Sequence, residues 1–251
     1  MEAAELGAFM VSACLFAAAL GHPASPVTAW LPDPFPRRAL MGVAMGLTAI
    51  AIVSSPFGQQ SGGHLNPAFT VTFFRLGKIA PWDALFYVLA QFAGGLAGVV
   101  AAAGLVGAPV AHPAVNYVVT APGPRGEAVA FAAEAAISFG MMTAVLIVGN
   151  RPGWSRFTPL CAGALVAAYI TFEAPLSGMS MNPARTLASA LPAHAWSALW
   201  IYFLAPPLGM LAAAEVYLRT GAARRVYCAK LHHHNARRCI FRCEGEPTPL
   251  R

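Results

Sequence analysis

The chain has 251 residues, 57% hydrophobic and 10% charged, with a formal net charge of +6 at pH 7. Soluble domains carry about 25% charged residues, so a water-covered fold is excluded and a multi-pass membrane protein is implied. Eight of the sixteen Lys and Arg lie at or after Arg219. The positive charge therefore collects in a tail, which argues against nucleic-acid partners, since these are met by a basic patch on a folded domain.

Six long apolar segments follow one another at about residues 3–20, 39–55, 82–106, 128–148, 157–172 and 195–218. Each approaches the ~20 helical residues that cross a bilayer core of about 30 Å. Glu2 and Glu5 stand where a cleavable signal would carry basic residues, so no such signal is expected. The third segment contains "GGLAG" at residues 94–98, a surface suited to close helix–helix approach in lipid. Cys14 and Cys161 lie in apolar segments and read as small buried hydrophobes.

Two short stretches interrupt this pattern. "GGHLNPAFTVTFF" follows the second segment and "GMSMNPARTLASAL" follows the fifth. Asn is a preferred N-cap and Pro is favoured at the first helical position, so each Asn-Pro-Ala starts a helix. The helices expected at residues 67–76 and 183–192 are ten residues each, or about 15 Å, half of the membrane core. Lys/Arg counting places Arg75, Lys78, Arg151, Arg156 and the tail on one side, with Arg37, Arg38 and Arg125 opposite. Both termini are then expected in the cytoplasm. The two half-helices enter from opposite faces and meet start to start, giving an inverted repeat over about residues 1–110 and 125–220. Glu5 and Glu134 fall at matching places in the two halves.

Broken helices at membrane depth must be buried in protein or line a water-filled cavity. Water at the midplane would meet two helix N-termini, each with a partial positive charge, and the amides of Asn66 and Asn182. A water held by both amides has its oxygen occupied as acceptor, which breaks a proton wire, and the positive ends repel cations.

Six spans with two Asn-Pro-Ala half-helices resemble the aquaporin and glycerol-facilitator family. The resemblance covers about residues 5–218 and rests on "SGGHLNPA", "GMSMNPARTLASAL", "YVLAQFAGG" and the two membrane glutamates. It implies an all-α, right-handed bundle of six transmembrane helices and two half-helices. It also implies a homotetramer in the inner (plasma) membrane, with a water-conducting pore in each subunit and no cofactor required for transport. Asn66 and Asn182 would be the central donors and Arg185 part of an outer filter. Glu5, Glu134 and Gln91 would brace the broken loops, with His64 a structural pore-loop residue. Alignment with the family places Met45, Ile170 and Met179 beside Arg185 in that filter. Met45 stands where a large aromatic is usual, Ile170 where water channels tend to carry His and glycerol facilitators Gly. Thr186 replaces the Asp that follows the filter Arg in glycerol facilitators. Water is therefore the expected permeant, with glycerol, urea, ammonia or metalloid hydroxides as alternatives.

The tail, residues 221–251, contains "CAKLHHHNARRCIFRC". A chain reversal near Asn235 would bring Cys228, His232, Cys239 and Cys243 together as a tetrahedral zinc site. The alternative is a basic strip lying on anionic lipid. Two other classes stay open. An inverted-repeat secondary transporter would need a coupling-ion site, and Asp33 and Asp83 fall in a loop and at a helix edge. A metal-sensing tail protein is the other. An enzyme is not expected, because the membrane region offers no metal cluster or nucleophile–base pair.

Overall fold

Proline and short polar residues set most of the helix starts. A computed structural model describes residues 1–220, 226–233 and 235–244; Arg224, Arg225 and Arg251, counted above among the tail charges, lie outside them. Among the described residues there are helices and no strand. Six helices are long and apolar enough to cross a membrane. They are α1 (Glu2–Gly21), α3 (Pro34–Ser54), α6 (Pro81–Val106), α8 (Glu127–Gly149), the span Ser155–Phe172, which is α9 (Thr158–Phe172) with the short turn before it, and α12 (Leu199–Arg219). The half-helices are α5 (Pro67–Arg75) and α11 (Pro183–Ala193), and short turns fill the connections: α2 (Pro26–Trp30), α4 (Pro56–Ser61), α7 (Ala108–Ala111) and α10 (Ala174–Ser177).

The boundaries have local causes. The Asp33 side chain accepts from Phe35 N–H, and Pro34 opens α3 five residues before the apolar run begins. The last span starts at Leu199 rather than near residue 195. His194 and Ala198 both adopt left-handed backbone, and the turn between them separates α11 from α12. At 1.5 Å per residue, nine residues of α5 and eleven of α11 add to about 30 Å, one membrane core.

Packing follows the repeat. The tightest pairs are α1 with α6, α8 with α12, and α3 with α9. The first two are equivalent under exchange of the chain's halves, and the third joins the halves across the repeat axis. Each half-helix packs on the last span of the opposite half, α11 on α6 and α5 on α12. Small residues allow the close contacts: a Cβ added at Gly98 would overlap the Gly7 backbone, and one at Gly209 the Ala135 carbonyl. The outer surface is apolar, with Leu47, Leu89, Leu105 and Leu208 exposed on the spans. All five tryptophans are exposed at or near span ends: Trp30, Trp82, Trp154, Trp196 and Trp200. That is where amphipathic rings meet a membrane–water interface.

Candidate functional site: a crossed asparagine pair above a docked tail

The two Asn-Pro-Ala helix starts meet. Asn66 Oδ1 accepts from Ala68 N–H, and Asn182 Oδ1 from Ala184 and Arg185 N–H, so each side chain caps its own half-helix. Asn66 Nδ2 donates to the Met181 carbonyl at 2.7 Å, and Asn182 Nδ2 to the Leu65 carbonyl at 2.8 Å. Each asparagine therefore clamps the loop of the other half. A primary amide has two N–H groups; one holds this clamp and the other can meet a molecule in the adjoining cavity. Leu65 (φ 53°) and Met181 (φ 52°) adopt the left-handed region, a conformation that costs a non-glycine residue about 1–3 kcal/mol. The crossed bonds act on these same carbonyls.

Carboxylates hold the loops from behind. Glu134 accepts from Ser180 N–H (2.6 Å), Met181 N–H (2.7 Å) and the Ser177 hydroxyl (2.8 Å). In the first half the same work is divided. Glu2, not Glu5, accepts from His64 N–H (3.0 Å) and Leu65 N–H (2.8 Å), while Glu5 accepts from the Ser61 hydroxyl (2.6 Å). Glu5 on Ser61 mirrors Glu134 on Ser177, and Glu2, a bracing residue that sequence reasoning missed, takes the backbone N–H groups. Glu2 and Glu5 lie three residues apart and so share a helix face, a signal that both could reach the loop. Gln91 donates to Glu2 (2.7 Å) and to the Thr70 hydroxyl (3.0 Å), a bracing position. His64 is buried, with Nδ1 beside the Thr70 hydroxyl at 3.1 Å.

A cavity of about 330 Å³ runs past this clamp. Asn66, Asn182, Met45, Ile170, Met179 and Arg185 all contribute to its wall. The Arg185 guanidinium donates to the Thr120 hydroxyl, and Thr120 continues to Thr186 at 3.3 Å. Arg38 and Met41 also line the cavity, and sequence reasoning missed them. Their spacing to Met45 is helical, so one face of α3 carries all three; that periodicity was the available signal. Arg38 is tied by Nε to the Thr171 carbonyl at 2.7 Å.

The tail lies against the opposite end of the same cavity from Arg38. Val226, Ala229, Leu231 and Phe241 are buried, while Arg237, Arg238 and Arg242 are exposed. Leu231 lines the cavity, and its N–H donates to the Gly62 carbonyl at 3.0 Å. His64 Nε2 meets the Ala229 carbonyl at 2.8 Å, and Phe241 stacks on the His64 ring at 5.5 Å with a 9° interplanar angle. Three cysteines converge: Cys228–Cys239 at 3.4 Å, Cys239–Cys243 at 3.1 Å and Cys228–Cys243 at 2.6 Å. The histidine beside them is His233, with Nε2 3.6 Å from Cys243 Sγ; it stands where His232 was expected. The four donor atoms of Cys228, His233, Cys239 and Cys243 lie within 4.8 Å of one another and can hold a metal ion. The Cys228–Cys239 contact pulls the Cys239 thiol well below its ordinary pKa, and the same contact with burial pushes Cys228 up.

Residues 5–217 match the family described as major intrinsic protein. "Aquaporin NIP3-1" of Zea mays is 40% identical over 188 residues, 74% of this chain and 59% of the maize protein. The chain thus spans about three fifths of that relative's length. "Glycerol uptake facilitator protein-like 6" of Lactiplantibacillus plantarum is 35% identical over 189 residues, 69% of this chain and 81% of that protein. The X-ray structure of the aquaglyceroporin from Plasmodium falciparum superposes with a TM-score of 0.69 at 18% identity, covering 87% of this chain and 93% of that one; at that identity the likeness concerns the fold. With the paired half-helices, their crossed asparagines and a family match over most of its length, the chain belongs to the major intrinsic protein family.

Proposed function

We propose that the protein is a passive channel that conducts water in single file and rejects protons and ions. The observation that carries this reading is the crossed Asn66–Asn182 pair on the wall of a continuous cavity. Each amide keeps one N–H for the permeant, and α5 and α11 aim their positive ends at the same place. A water oxygen that accepts there cannot accept from its neighbour, and a cation meets repulsion from both helix starts. Met45, Ile170, Met179 and Arg185 form the filter in this reading, with Arg185 the main side-chain donor. The channel sits in the inner (plasma) membrane as a homotetramer, with both termini cytoplasmic; the Lys/Arg asymmetry supports that orientation. It needs no cofactor for transport. The tail donors Cys228, His233, Cys239 and Cys243 suit zinc, which takes thiolate and imidazole ligands tetrahedrally.

A second reading is a channel for glycerol or another small neutral solute. It is favoured by the apolar wall around Phe9, Met41, Met45 and Ile170, which suits a carbon face, and by a relative named as a glycerol uptake facilitator-like protein. Stopped-flow light scattering on proteoliposomes containing zinc-free protein distinguishes the two. Fast water flux with slow glycerol and urea flux is expected. Glycerol crossing as readily as water would make the second reading the better one. Flux no greater than that of empty liposomes for every solute would remove both.

A further inference from the structure

The tail does not follow from the channel and is built like a separate device. Residues 226–233 and 235–244 contain no helix or strand, yet they make specific contacts with the bundle. Tyr227 N–H donates to Asn150 Oδ1 at 2.7 Å, and Arg242 N–H to the Lys78 carbonyl at 3.0 Å. The buried Lys78 ammonium pairs with Glu244 at 3.0 Å. Leu231 and Phe241 are buried against the broken loop. Leu231 N–H takes up the Gly62 carbonyl at the start of the broken loop, and the Leu231 side chain forms part of the cavity wall beside Gly63, His64 and Leu65. Phe241 lies flat on His64 and directly over Gly62.

The four candidate metal ligands are arranged around these two residues in the chain. Cys228 and His233 bracket Leu231, and Cys239 and Cys243 bracket Phe241. An ion joining the four would tie both inserted segments at a single point. A segment this short, without its own core or backbone ladder, would gain further order from such a cross-link. The donor set, three thiols and one imidazole, is a structural zinc set. Tetrahedral bonds of about 2.3 Å require sulfur–sulfur separations of about 3.7 Å, so the trio would have to open by up to about 1 Å. Three thiolates on one zinc leave a net negative charge, and Lys230, Arg237, Arg238 and Arg242 lie in the same segment to offset it.

We propose that zinc bound by Cys228, His233, Cys239 and Cys243 holds the tail as a plug in the mouth of the pore, so that metal loading closes the channel and metal loss opens it. This rests on the channel reading above. When the ion leaves, the tail loses its cross-link, and what remains to hold it is the Lys78–Glu244 pair, the Phe241–His64 stack, apolar burial and single hydrogen bonds. Leu231 can then withdraw from the cavity wall.

The test uses the full chain, purified under reducing conditions without chelator. Elemental analysis should find about one zinc per chain. Protein stripped with a chelator and reconstituted should conduct water several-fold faster than the zinc-loaded protein, and adding zinc back should restore the slow rate. Cys239→Ser with Cys243→Ser should bind no zinc and match the stripped protein, with or without added zinc. Leu231→Gly should keep its zinc and yet conduct at the stripped rate, which separates the plug from the metal. Absence of zinc in the purified chain, with no uptake on titration, would overturn the metal site. Zinc bound with equal flux in loaded, stripped and Leu231→Gly protein would overturn the plug while leaving the site. A flux that changes on thiol oxidation but not on zinc titration would replace the metal switch by a disulfide. Absence of flux in every form, the cysteine variant included, would fall on the channel reading itself.

Discussion

Glu2 and Glu5 sit three residues apart on one helix face and differ in what they hold. Glu2 accepts from two buried backbone N–H groups of the pore loop, and Glu5 from one serine hydroxyl. A backbone N–H in this loop cannot turn away to find another partner, whereas a hydroxyl rotates to suit. Each buried donor left unsatisfied costs about 1–3 kcal/mol. Glu2→Ala should therefore destabilise the detergent-purified protein by about 2–4 kcal/mol, and Glu5→Ala by about half as much or less. Thermal unfolding followed by circular dichroism compares the two directly. Equal losses, or a larger one for Glu5→Ala, would mean that Glu2 is not the residue that holds the loop.

At the level of elements, glycine decides how near the helices come. α1 and α6 approach until the Gly98 and Gly7 backbones touch, and no Cβ fits between them. In lipid the apolar side chains gain nothing from leaving water, so this contact is held by dispersion and by close backbone approach. Gly104, on the same helix, has open space around its Cα. Gly98→Val should lower stability by at least about 1–3 kcal/mol through overpacking and reduce the yield of folded protein, while Gly104→Ala should be tolerated. Size-exclusion profiles and thermal unfolding of both variants report this. A Gly98→Val protein as stable as its parent would show that α1 and α6 can separate at little cost.

In the proposed channel, ion exclusion would belong to the whole molecule, because neither half of the chain could supply it. The midplane barrier needs α5 from one half and α11 from the other, with Asn66 and Asn182 tied across. Arg185 adds a second positive group farther along the cavity wall, oriented by its bond to Thr120. Two barriers in series make the removal of one only partly damaging. Arg185→Val should keep water flux and admit a small proton or cation leak, read with a pH-sensitive dye in proteoliposomes. A tight variant would assign exclusion to the midplane alone, and a lost water flux would assign Arg185 to folding.

The sequence by itself determined the architecture. Apolar runs of membrane length, two Asn-Pro-Ala starts at half that length, and the sidedness of Lys and Arg follow from local chemistry and from the bilayer as solvent. Within a residue or two, the half-helices begin and end where capping and proline place them. The tertiary structure decided which groups are partners. That the asparagines clamp each other's loops depends on two segments 116 positions apart folding to one point. Glu2 in place of Glu5 and His233 in place of His232 are choices between neighbours on the same chain. They turn on helix register and on the path of an irregular segment, neither of which leaves a periodic trace. The docking of the tail was the least legible. Its contacts are backbone carbonyls and ring faces, Gly62, Ala229 and His64 among them, and backbone groups are the same in every sequence until the fold aims them.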